Sequence, residues 1–435
     1  MEKFEIIKNV KCEELSYEGY GTFRKNDFLY LIDNFLPNEI ANIKIIKKTT
    51  KVIYGKVQNI IHKSPLRIKP KNSDLLISGS APLSNLAYEE QLKWKNEIIQ
   101  KFTKWNLPNT KIFQILPSPK IWNYRNKITV FFEYKNEKIY IGLYEKNSHN
   151  LVTQNSYDLV DEKISNLIID IQNNINNFDL NSLKKITKLS IRISNFNDSL
   201  QLSFYSENKI EIDNNFINYL KNKFNNIVEI SLFIVKKEKI FNTINLYKKE
   251  NLIQKINEIK YIVSPESFFQ VNFWQTNILY KKIYEELKLN KKDKVIDLFC
   301  GVGSIGLFLT KYVEKVRGIE IIEKAIENAK KNMELNKIKN IEFYCLNADK
   351  LSNNIFDKYN VLVLDPPRSG VSKETLEMIN KSNIEKIAYV SCNYHTLIRD
   401  LKILEKTFKI INLTPFDMFP QTSHIEVLVI LEKKI

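Results

Sequence analysis

The short apolar run Val361-Leu-Val-Leu364, broken abruptly by Asp365-Pro-Pro-Arg-Ser-Gly370, constrains this chain more than any other stretch. Two further segments share its design: Lys294-Val-Ile-Asp-Leu-Phe-Cys-Gly-Val-Gly303 and Ala388-Tyr-Val-Ser-Cys-Asn393. An apolar run without polar alternation suits a central strand of a parallel sheet, covered on both faces. Ligands of such sheets sit at the carboxyl ends of the strands. Asp365 and Cys392 are thereby placed at strand ends, beside a glycine-rich turn. A carboxylate and a cysteine there point to a cofactor pocket next to a nucleophile.

The rest of the C-terminal half fits that sheet. Helical spacing predicts helices near 278–287, 304–311, 323–336, 373–380 and 395–405. Strands are expected at 294–299, 315–320, 341–345, 361–364 and 387–391, with a terminal pair at 409–414 and 425–432. Strand–helix alternation of this kind gives a doubly wound, Rossmann-like α/β domain, taken as 263–435.

The N-terminal half reads differently. Residues 1–62 hold short strands at 28–32, 41–46 and 52–57, separated by turn residues at Asn26-Asp27, Pro37-Asn38 and 48–50. A small β-barrel is expected. Lys44, Lys47, Lys48, Lys51 and Lys56 interleave with its apolar residues, which suits an RNA-binding barrel and equally a plain solvated face. Residues 63–262 form a central α+β domain. It begins turn-rich and continues with a helix within about 84–107, carried by Leu92, Ile98, Ile99 and Phe102 and stopped before Pro108. Strands follow at 128–132, 139–143, 189–193, 200–204 and 229–235, with a helix at 163–174.

Charge narrows the partner. There are 66 Lys+Arg against 50 Asp+Glu, a net charge of +16. That balance favours a polyanion, nucleic acid before an anionic membrane. A drift of composition toward Lys, Ile and Asn would leave the same signature. The cysteines Cys12, Cys300, Cys345 and Cys392 lie too far apart for a disulfide framework or a zinc site. They suit a reducing cytoplasm. No signal-peptide core and no stretch of about 18 apolar residues occurs, so no membrane span is expected.

The turn at 297–306 limits the cofactor. Gly301, Gly303 and Gly306 match G-x-G-x-x-G, and Glu320 follows at the end of the next strand. That acid would bind ribose hydroxyls in a nicotinamide enzyme or an adenosylmethionine enzyme alike. No Lys-Ser/Thr follows the glycines, which excludes a P-loop.

Six segments in one order carry a resemblance. They are Phe268-Phe-Gln-Val-Asn272, Asp297-Leu-Phe-Cys-Gly-Val-Gly303, Gly318-Ile-Glu320, Asp365-Pro-Pro-Arg-Ser-Gly370, Tyr389-Val-Ser-Cys-Asn393 and His424-Ile-Glu426. Together they resemble the RNA uracil-C5 methyltransferases that use S-adenosylmethionine. The N-terminal barrel resembles a TRAM domain, with Gly19-Tyr-Gly21 and with Leu36-Pro-Asn-Glu39 where the family has Pro-Gly-Glu.

The resemblance implies roles that chemistry supports. Uracil C5 is a poor nucleophile until a thiolate adds to C6. Cys392 matches that nucleophile. A lone cysteine is otherwise most often a buried structural one. Glu426 matches the base that removes the C5 proton. Gln270, Phe299, Glu320 and Asp365 match positions around S-adenosylmethionine, and Asn347 or Asp349 the adenine contact. Phe268 matches a residue that stacks on a flipped base, although a core aromatic would look the same. Arg125, in Asn123-Tyr-Arg-Asn-Lys127, matches an RNA contact, or is a surface cation.

The chain departs from many bacterial relatives at an iron–sulfur site. Its four cysteine positions are Asn72, Ser78, Ala81 and Ser156 here. Cluster iron needs thiolates, so no cluster and no metal are expected. The helix near 84–107 is expected to pack on the catalytic domain. The barrel points to 23S rRNA as substrate, with the T-loop of tRNA as the alternative. A non-catalytic RNA-binding protein would not need both Cys392 and Glu426. A monomer is expected.

Overall fold

A computed structural model describes residues 5–237 and 239–434. Its largest sheet has eight strands. In spatial order they are Ile341–Cys345, Lys315–Glu320, Lys294–Leu298, Val361–Leu364, Lys386–Ser391, Glu426–Lys433, Phe408–Phe416 and Lys111–Ile112. The first five run parallel. The strand order reverses between Lys294–Leu298 and Val361–Leu364, where such sheets open a crevice. Val361 to Leu364 are fully buried, as their unbroken apolar pattern requires.

The last two long strands turn back. Glu426–Lys433 is antiparallel to both neighbours, with Val427 opposite Ser391. An antiparallel strand begins where its parallel neighbour ends. Its first residue, Glu426, is therefore delivered to the carboxyl edge of the sheet beside Cys392.

Helices Phe273–Leu287, Ser304–Leu309 and Glu323–Leu335 cover one face. Helices Lys373–Lys381 and Tyr394–Leu404 cover the other. The second face is completed by helix Tyr88–Asn106, whose Ile98 and Ile99 share its core. The short strand Lys111–Ile112 joins the sheet edge against Asn412 and Leu413. Residues from early in the chain thus finish a fold whose strands lie late in it.

A buried ion pair fixes that helix. Lys95 Nζ lies 2.6 Å from Asp417 Oδ1, and both side chains have 0% exposure. Tyr88 donates to the other Asp417 oxygen at 2.8 Å. Lys95 also donates to the Phe419 carbonyl at 3.3 Å. The Gln91 amide donates to Gln421 Oε1 at 2.8 Å and accepts from the Gln421 N–H at 3.0 Å. All of these grip the loop between the last two strands.

The central sheet has seven strands, in the order Leu151–Val152, Lys138–Tyr144, Lys127–Lys135, Ile186–Ile193, Leu200–Ser206, Ile227–Lys236 and Lys239–Lys248. Helices Glu162–Asn174 and Asn214–Lys223 pack on one face. Sequence patterning missed the edge strand Lys239–Lys248. None of its side chains is buried, and only Ile244, Leu246 and Tyr247 pack partly on the core, too short a stretch to mark a period. Patterning also missed the hairpin Ile253–Ile256 and Ile259–Ile262. The hairpin precedes residue 263, yet Ile256 and Tyr261 lie in one core with the eight-stranded sheet.

The N-terminal sheet has six strands where the sequence suggested three, and it is curled. Their order is Ile6–Lys11, Ile40–Lys48, Val52–His62, Phe28–Asp33, Gly21–Lys25 and Glu14–Leu15. Three register shifts between the second and third bend the sheet. It closes over Phe23, Tyr30, Ile32, Phe35 and Ile43. A Cβ at Gly21 would stand 2.2 Å from the Phe35 carbonyl oxygen, so only glycine fits there. Glu39 is fully buried and holds Arg67 at 2.8 Å, joining this sheet to the next segment.

Candidate active site

The carboxyl ends of the parallel strands open into a cavity of about 720 Å³. Every candidate site residue but Arg125 lines it: Phe268, Gln270, Phe299, Glu320, Asn347, Asp365, Cys392 and Glu426.

The glycine-rich turn forms one wall. Phe299 has φ +69° and Gly301 φ +54°, left-handed values that swing the backbone out of the strand. A Cβ on Gly301 would meet nothing within 4 Å, so the turn presents open backbone to the cavity. Gly306 N–H donates to buried Asp297 at 2.7 Å and ties the following helix to the strand. Glu320 accepts from the N–H groups of Gly301 (3.1 Å), Ile321 (2.9 Å) and Ile322 (3.0 Å). These bonds fix its carboxylate while leaving it acceptor capacity for hydroxyl donors. Asn347 caps the next turn by accepting from Asp349 N–H at 2.9 Å. Asp349 in turn accepts from the hydroxyls of Ser372 and Thr375, at 2.5 and 3.1 Å. Both residues line the same end of the cavity.

The opposite wall carries Asp365, Arg368, Cys392 and Glu426. Cys392 follows the strand Lys386–Ser391 and precedes the helix Tyr394–Leu404, which Asn393 caps. Burial raises its pKa above the ordinary thiol value, and Glu426 and Asp365 add to the rise. The nearby Arg368 guanidinium pulls it down. Burial also holds Glu426 well above the ordinary carboxyl range, with Asp365 pushing it up and Arg368 pulling it down. Burial raises Asp365 as well. Cys392, Glu426, Asp365 and Arg368 are therefore one electrostatic unit. Cys300 lies in the same cavity, but burial and two nearby carboxylates, Asp297 and Glu320, push its thiol far up, which makes it the poorer nucleophile.

Arg368 was not singled out from sequence, although it sits inside Asp365-Pro-Pro-Arg. Its loop is strapped to the helix that follows Cys392. Asn393 Nδ2 donates to the Arg368 carbonyl at 3.0 Å, and Arg399 donates to the Ser369 carbonyl at 2.9 Å. Asp400 accepts from Val371 N–H at 2.8 Å and from Tyr389 at 2.6 Å. Phe419 and His424, from the loop gripped by Lys95, also line the cavity. Burial, with Arg368 and Arg125 nearby, lowers His424 to about 4, so its imidazole is neutral at ordinary pH.

Phe268 stands 76% exposed at the cavity, which sets it apart from a core aromatic. Arg125 lies just outside, its guanidinium 5.9 Å from the Phe419 ring. Asn72, Ser78, Ala81 and Ser156 make ordinary contacts. Asn72 donates to Ser156 Oγ at 3.2 Å, Ser78 meets Ser80 at 3.0 Å, and Ala81 is buried with Leu75, Tyr124 and Leu159. Among the described residues no group of three His, Cys, Asp or Glu is placed to hold a metal ion. No described helix is long and apolar enough to cross a membrane.

Comparison with known proteins agrees with this architecture. An uncharacterized RNA methyltransferase of Lactobacillus johnsonii is 31% identical, over 100% of this chain and 99% of its own length. A Fusobacterium nucleatum protein of the same description is also 31% identical, over 100% and 97%. The crystal structure of Pyrococcus abyssi tRNA (uracil-54, C5)-methyltransferase in complex with S-adenosyl-L-homocysteine shares the fold, with TM-score 0.75 and 23% identity. That likeness covers 97% of this chain and 100% of the archaeal one. The family described as tRNA (Uracil-5-)-methyltransferase matches residues 87–434, from the helix that Lys95 anchors to the end of the last strand. By that match, and by relatives aligned from end to end, the chain belongs to the tRNA (uracil-5-)-methyltransferase family.

Proposed function

We propose that this RNA methyltransferase moves a methyl group from S-adenosylmethionine to C5 of a uridine, through a covalent bond between Cys392 and uracil C6. One observation carries the reading: Cys392 and Glu426 converge on one cavity with Glu320 and the open backbone of Gly301. S-adenosylmethionine fits the donor set, with Glu320 for the ribose hydroxyls, Phe299 and Gln270 alongside, and Asn347 or Asp349 for the adenine. When bound it supplies the electrophilic methyl group.

The chain's own residues do the rest. The Cys392 thiolate forms a bond to C6, and the C5=C6 electron pair moves toward the O4 carbonyl, making C5 nucleophilic. After methylation, C5 holds both a methyl and a proton. Glu426 takes the proton. Its electron pair restores the C5=C6 bond and expels the thiolate. Arg368 favours the ionised forms of both groups. Phe268 and Arg125 receive the target base and its strand.

Two predictions arise here. Glu320→Ala should weaken S-adenosylmethionine binding at least about tenfold, since a hydrogen bond to a charged group contributes roughly 1.5–3 kcal/mol. Unchanged affinity by calorimetry would overturn that role. The second concerns pH. Cys392 and Glu426 must both be ionised to act, and both are raised. kcat/KM should therefore climb as pH rises and level off only on the alkaline side. Arg368→Gln removes the cation that lowers both, so the climb should move to higher pH. A flat profile, or a shift toward acid, would contradict the assignment.

For the target we infer 23S rRNA, on the TRAM-like N-terminal sheet. The T-loop uridine of tRNA is a second reading with its own observation. The archaeal tRNA enzyme matches over its full length, so its likeness spans the N-terminal sheet too. Mass mapping of 5-methyluridine in both RNAs from a deletion strain, with and without complementation, decides between them. We further infer a cytoplasmic monomer without an iron–sulfur cluster, which a colourless, iron-free preparation would support.

A further inference from the structure

A second cavity, of about 450 Å³, opens beside the first. Such a volume lies in the range of small-ligand sites. Lys127, Arg125, Phe131, Tyr144 and the hydroxyl residues Ser78 and Ser80 line it. Phe131 and Tyr144 are stacked, with ring centroids 4.3 Å apart and planes at 30°. Lys127 is half-buried and forms no ion pair among the described residues. Arg192 stands directly opposite it in the sheet register, and Lys188 lies further along that same neighbouring strand. Burial, together with Arg192 and Lys188, pushes its pKa down to about 7. Arg192 is already committed, donating to the carbonyls of Ser264 (3.1 Å) and Ser267 (2.7 Å). Lys188 sits 4.5 Å over the Tyr205 ring. A lysine held beside other cations gains its full charge only with an anion against it, and stacked rings beside it offer a base a surface.

The backbone joins this cavity to the active site. Arg125 is bridged to Asn272. Asn126 N–H donates to the Val271 carbonyl at 2.9 Å, and its amide to the Gln270 carbonyl at 3.1 Å. Phe268 lies only a few residues before these partners. Gln270 lines the first cavity and its neighbour Val271 the second, so the two adjoin.

We propose that the second cavity holds a nucleotide flanking the target uridine, its phosphate on Lys127 and its base against Phe131 and Tyr144. This rests on the reading of the chain as an RNA uridine methyltransferase. Charge complementarity and continuity with the first cavity make single-stranded RNA the occupant.

The test is equilibrium binding of a single-stranded, uridine-rich RNA to the full chain over a salt series. Lys127→Met should reduce the slope of log affinity against log salt by about 0.7, one phosphate contact on a single strand. Lys127→Arg should restore it. Tyr144→Leu should weaken binding about tenfold at each salt concentration and leave the slope alone, since it removes stacking and no charge. Lys221→Met, on the helix-covered face of the same sheet, is the control and should change neither. In turnover, Lys127→Met should raise KM for RNA with kcat unchanged. If Lys127→Met and Tyr144→Leu both bind like the control, the second cavity holds no nucleotide. Failure of Lys127→Arg to restore the slope would also overturn the proposal, because the lysine's role would then be structural. Wild-type methylation of uridine alongside either result leaves the main reading standing. A wild-type chain that methylates no uridine removes that reading, whatever the variants do.

Discussion

Cys392→Ala should abolish methylation, lowering kcat by at least about 10⁴-fold, because the covalent route has no second nucleophile. The chemistry is read most directly with RNA carrying 5-fluorouridine. Fluorine at C5 cannot leave as a proton, so the wild-type thiolate stays bonded to C6 and the complex survives denaturing gels. Cys392→Ala should give no such band. Glu426→Gln should behave in the opposite sense. It should still add and methylate, then accumulate a covalent complex with ordinary uridine RNA, because the C5 proton has no acceptor. The pair of variants separates attack from release. A persistent band with Cys392→Ala would assign the attack elsewhere, with Cys300 the first suspect. Normal turnover by Glu426→Gln would remove Glu426 as the base.

The second large effect is on stability. Lys95→Met should cost about 3–5 kcal/mol, because it leaves the fully buried Asp417 without its cationic partner. The change to Met keeps most of the side-chain volume, so the loss is electrostatic rather than a cavity. Lys95→Met combined with Asp417→Asn should recover much of it, since no uncompensated charge remains. Chemical denaturation of the full chain reads both. A single variant within about 1 kcal/mol of wild type would show that the pair contributes little. Activity should fall with stability, because Asp417 and Phe419 begin the loop that presents His424 and Glu426.

What the sequence made legible follows from how information is written along a chain. Asp365 and Cys392 were readable because each follows an apolar run, and Glu320 because it closes the strand after the glycine-rich turn; strand direction then places all three at one edge. Glu426 was placed only through resemblance; an antiparallel return is invisible until the sheet is known. Arg368 lay in plain view in Asp365-Pro-Pro-Arg, but its task depends on two partners, Cys392 and Glu426, distant in sequence. Lys95 was unreadable for the same reason. In sequence it is one lysine on an amphipathic helix, and such a residue is normally solvated. The strand Lys239–Lys248 escaped because only Ile244, Leu246 and Tyr247 of it reach the core, and these are too few to impose a period. Lys127 escaped because its isolation among cations is a property of the sheet register, with Arg192 directly opposite.

The anchored helix also bears on how the protein is made. Lys95 and Asp417 are 322 positions apart. At about 5–20 residues per second, the ribosome delivers the acid tens of seconds after the base. Through that interval Ile98, Ile99 and the strand Lys111–Ile112 have nothing to cover them. The N-terminal sheet can close in the meantime, since its pairings are local, but the methyltransferase fold waits for the final residues of synthesis. A nascent chain arrested before Asp417 would present this helix as a ready chaperone ligand. A recombinant fragment cut at 263, though it contains both Cys392 and Glu426, would lack the surface that closes one face of its own sheet.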